Sequence, residues 1–170
     1  MLKNEFSGFE CNFEDLVSLR HSIQSVRLFM NLLPRAQETL YFQNVAGKLF
    51  YHPLGYVRLA WSSERLSLED IKIYYEQVLA LLMSTGSHKI LSDYGQRVPL
   101  SDLAQQWLTR DWIPRALRLA RTSYCAIVEG PAPVQRLSTQ SVVSSAPAGM
   151  LFQRFSIVET AEVWLQSQWA

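Results

Sequence analysis

The sequence has few cysteines, no excess of charge of one sign and no long run of apolar residues. Cys11 and Cys125 are far apart, and neither has a cysteine or histidine at metal-ligand spacing, which argues against a disulfide framework and a metal site. The 16 basic and 15 acidic side chains give a net charge of +1, which provides no general attraction for nucleic acid. No apolar stretch has the length of a signal peptide or a membrane span. We therefore expect a cytoplasmic protein that neither binds nucleic acid nor inserts into a membrane.

Sequence motifs for catalysis, nucleotide binding and metal binding are missing as well. The seven glycines are scattered and form neither a GxGxxG nor a GxxxxGK phosphate loop, and there is no GxSxG motif. His21, His52 and His88 fall in different segments, and none has a second ligand at zinc spacing. We therefore predict a protein that is not an enzyme and that holds no cofactor or metal.

The composition is that of one folded domain with an N-terminal extension. Of 170 residues, 48% are hydrophobic and 18% are charged, which is enough apolar material for a substantial core. Pro34 marks a boundary in the pattern. We divide the chain into an N-terminal helical extension, residues 1–37, and an α/β domain, residues 38–170.

The extension carries an amphipathic helical pattern. Apolar residues recur at intervals of three and four and form a seam on one helix face: Leu16, Leu19, Ile23, Val26, Met30 and Leu33. A seam this short fits a helix that packs on its own domain and a helix that joins two copies equally well. A third possibility is that Met30 is the true start and that the preceding residues are not native, although their helical period argues against it.

Three runs rich in aromatic and β-branched residues follow, at residues 40–43, 48–51 and 56–61, and predict an antiparallel meander. The third run alternates Val57, Leu59 and Trp61 with Tyr56, Arg58 and Ala60. This alternation predicts that one face of the strand lies against the core.

Helical and extended patterns alternate in the rest of the chain. A capping box of Ser67 and Asp70 begins one helix, which Gly86 ends. Strands are predicted at residues 89–91, 124–128 and 150–155. A helix begins at Ser101, and Pro114 interrupts it, so we expect a kink or two abutting helices there. The alternation predicts right-handed crossovers and a mostly parallel region of sheet.

Two more helices are predicted near the end of the chain. The first spans residues 133–145, with Val134, Leu137 and Val142 facing inward. The second is the terminal helix, for which Ser156 and Glu159 form a capping box.

The order of a meander followed by alternating helices and strands resembles the STAS fold of SpoIIAA-like proteins, and the local match is closer to uncharacterised bacterial STAS-like proteins. The resemblance covers roughly residues 38–168, and residues 40–44, 56–61, 107–115 and 161–165 carry it. It implies an α/β fold, with a mixed sheet that has an antiparallel N-terminal meander and helices packed on it. In SpoIIAA-type proteins a serine in a turn after a central strand is phosphorylated. The matching turn here is residues 92–96, in which the acid follows the serine.

The expected site is the carboxyl edge of the parallel strands, where open α/β sheets bind ligands. The candidate residues for a ligand or partner at this edge are Ser92, Asp93, Tyr94, Glu129 and Gly130.

We predict a non-enzymatic interaction or regulatory module that binds a protein partner or a second copy of itself. The contact would be made through an exposed sheet edge or through the N-terminal seam. The alternative is a carrier of a small apolar ligand or lipid, similar to CRAL/TRIO domains. Its pocket would be lined by Trp107, Trp112, Phe152 and Phe155.

Overall fold

The computed structural model describes residues 35, 37–95 and 97–168. The predicted seam of the N-terminal extension and Cys11 lie outside these described residues. The six strands are β1 (Thr39–Asn44), β2 (Gly47–His52), β3 (Tyr56–Trp61), β4 (Lys89–Asp93), β5 (Tyr124–Val128) and β6 (Leu151–Phe155). The helices are α1 (Leu68–Thr85), α2 (Asp102–Trp107), α3 (Ile113–Leu119), α4 (Pro133–Ser145) and α5 (Val158–Ser167), and a π-helical turn (Leu108–Trp112) joins α2 to α3.

The strands form one mixed sheet in the order β1-β2-β3-β4-β5-β6. The pairs β1–β2 and β2–β3 are antiparallel, whereas β3, β4, β5 and β6 are parallel neighbours. This order confirms the predicted α/β class, the N-terminal meander and the parallel region. It leaves β1 and β6 at the two edges of the described sheet.

Helices cover the sheet on both faces. Successive residues of a strand point to opposite faces, and in β4 and β5 one set packs with residues of α1, α2, α3 and α4 in the larger core. The other set, which includes Leu91, Ala126 and Val128, packs against Ala161 and Leu165 of α5 in a second core. The three helical connections between parallel strands therefore lie on one face, and α5 lies on the other.

The predicted core face of strand β3 is confirmed, since Val57, Leu59 and Trp61 belong to the larger core, and the other face of the strand is buried as well. All six of its residues are buried, including Arg58, which is 0% exposed. The alternation of Tyr56, Arg58 and Ala60 with apolar residues arises because one face of β3 holds an ionic network and the other holds the larger core.

The predicted ends of helix α1 are confirmed. Ser67 accepts a hydrogen bond from the backbone N–H of Asp70, and the Asp70 side chain accepts one from the Ser67 backbone N–H. Gly86 ends the helix at φ 65°, a left-handed conformation that glycine adopts without strain.

The helix interrupted by Pro114 bulges before the proline. The backbone N–H of Ile113 donates to the carbonyl of Leu108, which is the wider spacing of a π-helix. Proline lacks an N–H donor, so an uninterrupted α-helix would lose a bond there, and Pro114 instead lies in the first turn of α3.

The inward face predicted for α4 was wrong at two of three positions. Val142 is buried, but Val134 is 58% and Leu137 is 71% exposed. The inward side of the helix is mainly polar, with Gln135, Ser138, Thr139 and Val142 buried. Polar residues face inward because the start of α4 packs on loop backbone; the side chain of Gln135, for example, donates to the carbonyl of Arg97.

The capping box predicted for α5 is absent. Ile157 is the N-cap, and no side chain caps the helix. Ser156 therefore lies one position before the cap, and the residue at the third helical position is Thr160 instead of Glu159.

None of the helices in the described part of the chain is long and apolar enough to cross a bilayer.

The two leucines Leu82 and Leu137 test the observed helix faces with the same substitution. Leu82 is fully buried, so Leu82→Ala should lower the free energy of unfolding by about 2–5 kcal/mol. Leu137 points outward, so Leu137→Ala should change it by at most about 0.5 kcal/mol. Urea unfolding of both variants measures the difference, and equal losses would mean that α4 is rotated toward the core.

Candidate functional site

The predicted site residues at the carboxyl edge are divided between the two faces of the sheet. Ser92 accepts a hydrogen bond from Trp61 Nε1 at 3.0 Å, on the face covered by α1 to α4. Asp93 is the next residue of β4 and points to the α5 face, where it lies in an ionic network. The hydroxyl of Ser92 and the carboxyl of Asp93 therefore cannot act on one ligand.

The other three predicted residues stabilise the loops at this edge. The backbone N–H of Tyr94 donates to the carbonyl of Val128 at 3.1 Å. Glu129 pairs with Arg154 at 3.3 Å. A Cβ atom on Gly130 would collide with the carbonyl of Gly95 and the side chain of Gln135, so only glycine fits there.

The centre of the α5 face holds a buried arginine. Arg58 donates from Nε and Nη2 to the two carboxylate oxygens of Glu38, at 2.7 and 2.6 Å, and both side chains are fully buried. The Arg58 guanidinium also lies 4.5 Å from the centre of the Phe50 ring. Burial opposes ionisation of Glu38, but hydrogen bonds from Arg58 and from the Arg35 backbone bring its pKa below the usual value. The pair ties the segment before β1 to the middle of the sheet.

Asp93 lies between two arginines without a hydrogen bond to either. Its Oδ2 atom is 3.7 Å from Arg58 Nη1 and 3.9 Å from Arg35 Nη2, and it is buried with no hydrogen-bond partner among the described residues. Burial raises the pKa of Asp93, and the attraction of the two guanidinium groups only partly opposes this rise. The carboxyl group is therefore attached to the two arginines by charge attraction and not by hydrogen bonds from them.

The network extends to helix α5 through Glu162. Arg35 Nη1 and Tyr56 Oη both donate to Glu162 Oε1, at 2.7 and 2.9 Å. Burial, together with the bond to Glu162, raises the pKa of Tyr56. The network thus joins β3, β4 and α5 to the residues that precede β1, and we interpret it as a structural clamp.

A second buried arginine, Arg97, was missed in the sequence. It is 2% exposed, and its guanidinium lies 3.7 Å from the centre of the Tyr94 ring and 5.0 Å from that of Trp61. Its Nε and Nη1 atoms have no hydrogen-bond partner among the described residues. The only sequence signal was its position four residues after a parallel strand, at the edge where ligands are expected.

A small cavity lies beneath the kinked helix, where the carrier alternative needs a pocket. Its volume is about 30 Å³, and Tyr75, Ser92, Tyr94 and Trp112 are among its lining residues. Pockets for drug-sized ligands are about 300–1,000 Å³. The aromatic residues proposed for the pocket largely fill the core, so the described packing gives the carrier alternative no support.

An open groove of about 420 Å³ lies between α1 and the region of α2 and the π-helical turn. Arg115 lies in it and is paired with Glu76 and Asp111. These pairs reduce the positive charge that Arg115 offers to a polyanion.

The remaining reactive groups give no catalytic arrangement among the described residues. Burial raises the pKa of the Cys125 thiol to about 12, so the reactive thiolate is scarce at neutral pH. No cluster of three metal-ligating side chains occurs in the part of the chain that the structure describes.

Comparisons of the chain with protein-family models, with curated proteins and with solved structures find no match. The likeness to STAS domains therefore rests on the sequence pattern alone.

The clamp predicts an unequal effect of two glutamate substitutions. Glu38→Gln removes the carboxylate that accepts two hydrogen bonds from the buried Arg58 and should lower the free energy of unfolding by about 3 kcal/mol. Glu129→Gln breaks a partly exposed pair and should lower it by less than about 1 kcal/mol. Urea unfolding at neutral pH compares them, and losses of the same size would show that the Arg58–Glu38 pair is not a strong constraint.

The raised pKa of Asp93 predicts that the stability of the protein depends on pH. Its pKa in the folded protein is above the ordinary 3.8, so between these two pKa values the folded state binds more protons than the unfolded state. The free energy of unfolding contributed by this group therefore falls as pH rises through that window. Asp93→Asn removes the contribution, so the stability of the variant relative to the natural protein should increase with pH above 3.8 and then level off.

Urea unfolding curves of both proteins between about pH 3 and pH 8 measure this difference. A difference that decreases with pH would mean that the arginines, and not burial, dominate the ionisation of Asp93.

Proposed function

We propose that the chain is a non-enzymatic interaction module of the STAS-like, SpoIIAA-like type, and that it binds a protein partner beside the carboxyl edge of its parallel strands. A second copy of the chain is the partner that we propose first. The observation that carries this proposal is a group of exposed apolar side chains on two neighbouring helices.

The group consists of Leu103 on α2 and of Val134 and Leu137 on α4, and we call it the α2–α4 patch. These side chains are 66%, 58% and 71% exposed, and the two helices contact each other. Exposed apolar groups that occur together on a surface are typical of interaction sites, because their burial against a partner is favourable. The patch adjoins the loops in which the sequence placed a partner edge.

The polar side chains of the carboxyl edge support binding over catalysis. Ser92 is engaged by Trp61, Glu129 by Arg154, and the Asp93 carboxyl is 5% exposed within the clamp. A general base must reach the proton that it removes, and these groups instead serve the packing of the protein.

The charge of the chain is compatible with self-association. A net charge of +1 gives little repulsion between copies at neutral pH. The N-terminal seam, from Leu16 to Leu33, lies outside the described residues and stays a second predicted contact.

The proposal includes no phosphorylation at Ser92. Its hydroxyl is buried and accepts the Trp61 hydrogen bond on the helix-covered face, so a kinase would have to displace packed core to reach it. We place the module in the reducing cytoplasm of a bacterium; the free, buried thiol of Cys125 supports this location.

A charge placed in the α2–α4 patch should weaken self-association. We expect the average mass of the natural chain to rise with concentration in light scattering coupled to size exclusion. The Leu137→Glu variant should need at least a tenfold higher concentration to reach the same average mass. A buried carboxylate without a partner opposes association because it must lose its hydration. Val163→Glu is the matched control, since Val163 is 68% exposed on α5 and on the other face of the sheet.

Both variants change the net charge equally, so a general charge effect would appear in both. A natural chain that is monomeric at every concentration, or an equal response of the two variants, would contradict association through the patch.

A further inference from the structure

Two buried apolar residues of the described chain belong to neither of its apolar cores. Phe50 on β2 and Ala60 on β3 are both 0% exposed, yet neither residue is part of the larger core or of the second core. All other buried apolar residues that the structure describes belong to one core or the other. The packing that buries Phe50 and Ala60 is therefore separate from both cores.

Both residues lie on the α5 face of the sheet. Phe50 pairs with Arg58, whose guanidinium lies 4.5 Å from the centre of its ring, and Ala60 follows Arg58 by two positions on the same strand. Leu40 of β1 pairs with Phe50 and so points to this face as well, where it is 46% exposed. We call the surface formed by Leu40, Phe50 and Ala60 the β1–β3 face.

Helix α5 covers the other half of this side of the sheet. It contacts β4, β5 and β6, and it reaches β3 through the hydrogen bond between Tyr56 and Glu162. The helices α1 to α4 lie on the opposite side. No helix in the described part of the chain is therefore packed over Phe50 and Ala60.

The chain that precedes β1 enters the structure above the β1–β3 face. Glu38 is bonded to the middle of β3, and Arg35 Nη1 lies 2.7 Å from Glu162 Oε1 on α5. Arg35 Nη2 is 3.9 Å from Asp93 at the end of β4. The segment from Glu38 back to Arg35 thus leads from the edge strand toward the side of α5, and residues 1–34 are attached at that point.

This attachment limits where the N-terminal seam can lie. Leu33, the last residue of the seam, is two positions before Arg35, and two residues span at most about 7 Å. As a helix, residues 16–33 would be about 27 Å long, whereas the strands from β1 to β4 span about 15 Å in the sheet. The seam therefore ends close to the β1–β3 face and is long enough to cross it.

We propose that the seam of residues 16–33 docks on the β1–β3 face of its own chain, beside α5, and completes the packing around Phe50 and Ala60. Burial of the apolar seam against apolar side chains is favourable because both surfaces leave water. The short connection to Arg35 gives the seam a high effective concentration at its own sheet. The α2–α4 patch lies on the opposite side of the sheet and is left as the contact between copies.

Paramagnetic relaxation enhancement in nuclear magnetic resonance of the full chain tests the docking. A nitroxide is attached at Ser25→Cys, which lies away from the seam on a helical wheel, in a chain that also carries Cys11→Ala. The remaining thiol, Cys125, is buried. We expect the amide signals of Leu40 and Phe50 to lose intensity.

The signals of Val134 and Leu137, on the opposite side of the sheet, should keep their intensity. Unchanged signals of Leu40 and Phe50, or a loss confined to α4, would overturn the proposal.

A mixed sample distinguishes the chain's own seam from that of a second copy. Chains labelled with 15N but without nitroxide are mixed with unlabelled chains that carry it. We expect the β1–β3 face to keep its signals in this sample, because each seam docks within its own chain. A loss of intensity there would show that the seam joins two copies and would overturn the proposal.

Two neighbouring substitutions add the same charge on and off the seam. Ile23→Asp places a carboxylate in the seam, where docking would remove its hydration, and should lower the urea concentration at the midpoint of unfolding. Gln24→Asp is the matched control and should leave the midpoint close to that of the natural chain. The loss in Ile23→Asp should be the same at low and high protein concentration, because a contact within one chain does not depend on concentration.

Equal midpoints of the two variants would overturn the proposal, and so would a loss that changes with protein concentration. The relaxation measurement on Ser25→Cys decides the question even if Ile23→Asp fails to fold.

Discussion

The ion pair between Arg58 and Glu38 is the constraint on which the α5 face of the sheet depends. Arg58 lies on the central strand β3, directly between Phe50 of β2 and Leu91 of β4, where no solvent reaches it. A lone guanidinium could not be accommodated there, so the segment before β1 must place Glu38 over it. Through Asp93 and Glu162 the same cluster positions the end of β4 and helix α5. Folding of β1, packing of α5 and the geometry of the carboxyl edge are therefore coupled.

The clamp also limits what the carboxyl edge can do. Because Asp93 belongs to the clamp and Ser92 belongs to the opposite face, the edge has no pair of adjacent polar groups free to act together among the described residues. What the edge offers instead is an apolar surface on α2 and α4 and a cation, Arg97, below it. The apolar surface is the basis of the interaction role that we propose.

Much of the fold could be predicted from the sequence, because most of its signals are local. The capping box at Ser67, the glycine at position 86 and the β-branched runs act within a few residues. The predictions that were wrong concern side chains whose orientation is determined by tertiary contacts. Val134 and Leu137 face solvent because the other side of α4 is used for polar contacts with loops that are distant in sequence. The pairing of Arg58 and the isolation of Arg97 also depend on residues brought together only by the fold, so no spacing in the sequence could reveal them.

We propose that the protein associates through the surface beside the carboxyl edge. Amide hydrogen exchange of the full chain at low and high protein concentration tests it most directly, because the method locates a contact without changing the sequence. The account predicts slower exchange at high concentration in residues 102–107 and 133–140, with no change in β1, β6 or α5. Slower exchange confined to an edge strand, or no change with concentration anywhere, would contradict it.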